Sequence, residues 1–231
     1  MRLYQRISEF FWIISLIGDK FACVRHQPVI FALSPTGDIE SRTGGADMTL
    51  TREIHNPVTG DTIAFLASPL SGDGDMLRFR CTLPPHGAGA PLHVHDTMTE
   101  IFAVEEGVLE VALADGETRL LGPGESIAIA PGMQHGFRNP GDAPVTFITT
   151  ADPGEGLETF LRGMYALAAA GETDAAGMPR DPRVLGELLH SGNLVMPGIP
   201  RLLQRAALAL LRFAAWLTGA DRRLQRMARA S

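Results

Sequence analysis

His93 and His95 stand two residues apart in Leu92-His93-Val94-His95. On an extended strand that spacing turns both imidazoles to one face. Glu100 opens the next alternating run after a tight connection, and His135 comes from a later run, behind the turn residues Pro131-Gly132. Three neutral imidazoles and one carboxylate suit a borderline divalent transition metal: Fe, Mn, Ni, Cu or Zn. A five- or six-coordinate ion on these four ligands keeps one or two positions for water, oxygen or substrate. His55, His86 and His190 lie outside the group and read as surface or loop residues, because a single histidine without partners seldom makes a metal site. Asp96, next to His95, is placed to accept from its ring or, more simply, to start the turn.

The elements that would carry these side chains are short strands. From Asp61 to Ala151 the chain alternates apolar and polar residues between Gly, Pro and Asp, which predicts strands at 62–67, 76–83, 91–95, 99–105, 107–114, 117–121, 125–130, 134–138 and 144–150. Such a series with no helix between its members predicts an antiparallel sandwich or closed barrel. After Asp152 the composition turns to Ala, Leu and Arg. Leu157, Phe160, Leu161, Met164, Leu167 and Ala168 repeat at helical spacing, and further helices are expected near 182–190 and 201–217. Three regions result: an N-terminal extension (1–47), a barrel (48–152) and a helical region (153–231).

Charge separates the same regions. The net formal charge of −6 resolves into zero over 1–47, −11 over 48–160 and +5 over 161–231. An acidic barrel repels a phosphate backbone, so nucleic-acid binding is not expected. Arg201, Arg205 and Arg212 form a narrow stripe on the last helix, with Arg222, Arg223, Arg226 and Arg229 beyond it. That helix suits peripheral contact with an anionic bilayer or packing on the barrel or a second subunit. Cys23 and Cys81 are the only cysteines, which excludes a disulfide framework and makes a cytoplasmic location the expectation. Phe10–Gly18 has the length of a signal-peptide core, but Glu9 precedes it and Asp19-Lys20 follow it. It reads as an extension outside the fold.

The intervals around the four ligands carry a resemblance. Gly87, His93, His95, Glu100 and Gly107 fit Gly-x5-His-x-His-x4-Glu-x6-Gly, and Gly124, Gly132, His135 and Asn139 fit Gly-x5-Pro-x-Gly-x2-His-x3-Asn. These resemble the two motifs of the cupin superfamily. Ala130 departs, standing where the second motif has Pro, with Pro131 one residue later. The resemblance covers roughly 60–151. It implies a mainly β, RmlC-like fold, a double-stranded β-helix or jelly-roll barrel with the C-terminal α-helical extension appended, holding a metal at His93, His95, Glu100 and His135. It also makes a homodimer the expected assembly.

Glu100, Phe102 and Val104 alternate onto one face, and Phe137 shares a face with His135, so the expected substrate pocket of Phe102, Val104 and Phe137 is partly apolar. Each of these side chains also serves as ordinary barrel core. Arg78 and Arg80 face outward if Phe79 and Cys81 face in, leaving no cation to hold a phosphate. Three functions fit. The first is a dioxygenase-type oxidoreductase, similar to flavonol-cleaving (quercetinase-like) cupins, acting on a small apolar, phenolic or enolic molecule with Glu100 as base. The others are a metal-assisted isomerase or lyase, and a barrel that binds a small ligand without chemistry.

Overall fold

A computed structural model describes residues 52–230. The expectations for 1–47, and for the barrel's opening at Met48, lie outside the described residues. Alternation produces the strands β1 (Glu53–His55), β2 (Thr62–Ala67), β3 (Leu77–Leu83), β4 (Ala90–His95), β5 (Thr99–Glu106), β6 (Leu109–Leu113), β7 (Thr118–Leu121), β8 (Ser126–Ile129), β9 (His135–Arg138), β10 (Val145–Asp152) and β11 (Leu194–Val195). In β3 the buried residues Leu77, Phe79, Cys81 and Leu83 alternate with the exposed Arg78 and Arg80, as the period of two requires. All nine predicted strands are present with ends shifted by at most two residues; β1 and β11 are additional.

The strands form two antiparallel sheets, ordered β1-β2-β3-β10-β5-β8 and β11-β4-β9-β6-β7. Their inner faces share one core, to which Phe79, Phe102, Val111, Ile129 and Phe147 contribute from five strands. The fold is thus mainly β, with a C-terminal helical extension. Packing of β4 against β9 depends on Gly136: a Cβ there would lie 2.8 Å from the Ala90 carbonyl oxygen and 2.9 Å from the Leu92 nitrogen. Only glycine allows the approach that pairs His93 with His135 across these strands.

The helices are α1 (Glu155–Ala169), α2 (Pro182–Ser191), α3 (Arg201–Thr218) and α4 (Ala220–Ala230). Asp181 caps α2 by accepting from the Arg183 nitrogen, with Pro182 at the first helical position. Gly219, at φ 73°, closes α3 in the left-handed conformation. The last basic stretch is therefore a separate helix across a one-residue corner.

α1 is anchored to the barrel through polar groups. Its Glu158 and Arg162 are paired at 2.9 Å with 0% and 1% of their side chains exposed. Ser68 donates to Glu158 at 2.6 Å, and the Arg162 guanidinium sits 4.0 Å above the Phe65 ring. Tyr165 donates to Asp61. Burial, followed by the Cys81 and Asp61 charges, pushes the Tyr165 phenol far above its ordinary range, so it stays a donor. No helix among the described residues is long and apolar enough to cross a membrane.

Candidate metal centre

β4 contributes His93 and His95, β5 contributes Glu100 at its second position, and β9 begins with His135. All four are buried, at 6%, 3%, 5% and 0% exposure, and one ligand atom from each lies within 4.8 Å of the other three. The sequence-predicted quartet therefore converges on one point. His55, His86 and His190 are exposed, as expected.

Ring orientation is fixed from behind. Nδ1 of His93 bonds the Pro91 carbonyl at 2.7 Å, Nδ1 of His95 the Gly192 carbonyl at 2.9 Å, and Nδ1 of His135 the Met133 carbonyl at 3.1 Å. A carbonyl only accepts, so each Nδ1 must carry the proton and each Nε2 is turned toward the common point. There His93 and His95 bring Nε2 to within 3.1 Å, while Oε2 of Glu100 lies 2.8 Å from His135 Nε2 and 3.3 Å from His95 Nε2. Lone pairs at such separations repel unless positive charge lies among them. A shared proton or a divalent ion meets that need, and nitrogen donors with their other nitrogen bound to carbonyls suit the ion.

Electrostatics agree. Burial drives the Glu100 carboxyl upward, but the His135 and His95 rings beside it outweigh this and hold the group down at about 2. Burial, then the charges of His135 and His95, lowers His93 to about 4. At neutral pH Glu100 is a carboxylate and His93 a neutral donor, the forms a metal requires.

Around the ligands lies an aromatic wall. Phe102 is 5.9 Å from the His135 ring, and Phe102, Phe137 and Phe147 stand 5.2–6.1 Å apart between centroids. Phe102 and Val104 are 0% and 3% exposed and Phe137 is half-buried. All three pack in the core shared by both sheets. Thr149, opposite Phe102 in the β5–β10 pairing, has a buried hydroxyl without a hydrogen-bond partner. It is a polar point on an otherwise apolar interior face.

The motif positions outside the quartet hold loops. Asn139 donates to the carbonyls of Pro84 and Ala143 at 2.8 Å each and accepts from the Gly141 nitrogen at 3.0 Å. Ala130 in place of Pro leaves the turn before β9 closed: Met133 N bonds Ala130 O at 3.1 Å, and Gly132 N reaches His95 O at 2.8 Å.

Sequence reasoning missed what lies behind His95. Gly192 supplies its carbonyl from beyond the barrel, β11 pairs Leu194 with His95 and Val195 with Val94, and Asn193 donates to Thr97. Asp96 does not serve the His95 ring. Arg201 and Arg205 draw it away, at 3.0 and 3.5 Å, in electrostatic contacts rather than directed hydrogen bonds.

A jelly-roll sandwich with three histidines and a glutamate gathered inside defines the cupin class. Residues 79–151 match the family model described as the cupin domain, so this part of the chain is a cupin domain. Among solved structures it is similar to a sugar phosphate isomerase of the cupin superfamily from Silicibacter pomeroyi, at 26% identity and TM-score 0.37, over 41% of this chain and 60% of that one. The chain thus spans less than two thirds of that isomerase. It is also similar to a Thermus thermophilus protein, at 28% identity and TM-score 0.32, over 34% and 72% of the two chains. A third match is a Thermotoga maritima structure described as a predicted oxalate decarboxylase, at 21% identity and TM-score 0.38, over 45% and 97%. No curated protein sequence matches the chain.

Proposed function

We propose that the chain binds a divalent transition metal at His93, His95, Glu100 and His135 and acts there on a small apolar, phenolic or enolic molecule as a dioxygenase-type oxidoreductase. The observation that carries the metal reading is the set of three Nδ1–carbonyl bonds, which turns every Nε2 toward the carboxylate. A redox-active ion bound there supplies the electron transfer that lets oxygen react with an electron-rich substrate.

The remaining roles belong to the chain. Glu100, the one carboxylate of the buried cluster, is the group positioned to take a proton from a substrate hydroxyl at Oε2. Phe102, Val104 and Phe137 make the barrel interior apolar, which favours an apolar ligand, and Thr149 adds one buried hydroxyl to it. Arg78 and Arg80 are exposed on β3, so this strand gives the interior no cation for a phosphate. A second reading, metal-assisted isomerisation or elimination, draws on the same single carboxylate, since Glu100 can return its proton to a neighbouring carbon.

Elemental analysis of protein purified without added metal tests the first claim. Stoichiometric Fe, Mn, Ni or Cu supports oxidation, Zn supports the second reading, and no metal above trace leaves a ligand-binding barrel. Oxygen uptake with phenols and diketones then separates oxidation from rearrangement. His93→Ala with His135→Ala is expected to abolish metal binding while leaving the β-sheet circular dichroism intact; stoichiometric metal in that variant overturns the assignment.

A further inference from the structure

We infer that α3 and α4 form a docking surface for an anionic lipid bilayer, which would hold this cupin as a peripheral membrane protein. The inference is independent of the chemistry proposed for the barrel. α3 rests on α2 along one side, where Ala215 is buried and Leu211 lies against Gly186. Its other side is bare. Leu202, Leu210, Phe213, Trp216 and Leu217 share one helical face and are exposed by 82%, 71%, 58%, 61% and 62%. Phe213 and Trp216 stack at 5.8 Å between centroids, extending the ridge with two large rings. An apolar stripe of this kind along an 18-residue helix far exceeds scattered surface leucines.

Charge selects the occupant. Residues 201–230 contain seven arginines and one acid, Asp221. Arg201 and Arg205 face Asp96, Arg212 faces Glu187 and Arg223 faces Glu172. Arg222, Arg226 and Arg229 recur at i, i+4 and i+7 on the exposed side of α4 and have no acidic partner among the described residues. A second copy placed on this surface would set arginine against arginine. An acidic protein would answer the arginines but not the bare leucines and rings. An anionic bilayer answers both, taking the ridge at the acyl boundary and the guanidiniums at the phosphates. Residues 48–160, at net −11, are repelled by the same surface, so the molecule approaches with its tail foremost.

The chain has two tryptophans, Trp12 and Trp216, so Trp12→Phe leaves the docking residue as the sole reporter. With this full-length variant, phosphatidylcholine vesicles containing phosphatidylglycerol are expected to blue-shift the Trp216 emission and to co-sediment the protein. Pure phosphatidylcholine vesicles should do neither, and added salt should weaken the response. Arg222→Gln, Arg226→Gln and Arg229→Gln should each lower the partition coefficient about fivefold. Phe213→Ser with Leu217→Ser should abolish binding while circular dichroism stays unchanged. Four outcomes would overturn the proposal. These are no response to anionic vesicles, equal response to neutral ones, undiminished binding by both sets of variants, and a self-association that the serine variant abolishes without any vesicle binding.

Discussion

Each imidazole of the quartet has its far nitrogen occupied by a backbone carbonyl, so the direction of the near lone pair follows from main-chain geometry. Two of the groups also make stability depend on pH. In the unfolded chain His93 takes its proton near the ordinary 6.5, whereas burial in the folded chain delays this to about 4. Between those values the unfolded state binds more protons, so stability rises with pH. The contribution is complete above 6.5 and lost as pH falls through 4. Glu100, lowered from 4.5 to about 2, acts in the same sense further down: its contribution is present above 4.5 and lost toward 2. Urea unfolding of metal-free protein should therefore give a lower midpoint at pH 5 than at pH 7, a difference that His93→Gln diminishes. Equal midpoints for the parent protein would contradict this. The four ligands were legible in the sequence because a period of two and fixed intervals report which face a side chain takes. Gly192 was not, since the group it offers is a carbonyl that every residue possesses.

At the scale of elements, the segment from Gly192 to Arg205 acts as a strap across the strand that carries two ligands. It is joined by the β11–β4 pairing, by Asn193 on Thr97 and by Arg201 and Arg205 against Asp96. Asp96→Ala releases the charge end of the strap without touching a ligand. The expected result is a loss of roughly tenfold in metal affinity, the lower end of what such supporting contacts supply. Competitive chelator titration reads it, and Asp96→Arg combined with Arg201→Asp should restore part of the loss; unchanged affinity in Asp96→Ala would contradict the role. The nine central strands and three helices were readable from periodicity. β1 and β11, three and two residues long, are too short for any period to register and exist because a neighbouring strand edge pairs them. α4 was read only as continued charge, because the corner at Gly219 is a single residue.

Across the whole molecule, α1 is joined to the barrel by the Ser68–Glu158 bond and by Arg162 over the Phe65 ring as well as by the apolar packing of Leu157 and Tyr165. Glu158→Ala would remove a buried carboxylate that binds Arg162, Ser68 and the Leu70 nitrogen together, and breaking a buried pair in this way costs about 3–5 kcal/mol. Thermal unfolding should show a correspondingly large drop, and a change within measurement error would mean that the pair is not what fastens α1. The strap adds a different connection, because it makes the orientation of one ligand depend on Gly192, 41 positions beyond the last residue matched to the family. A fragment cut at 79 and 151 would keep all four donors and lose the carbonyl that aims one of them. Swapping the tail between homologous barrels would therefore alter the inner chemistry as well as the outer surface.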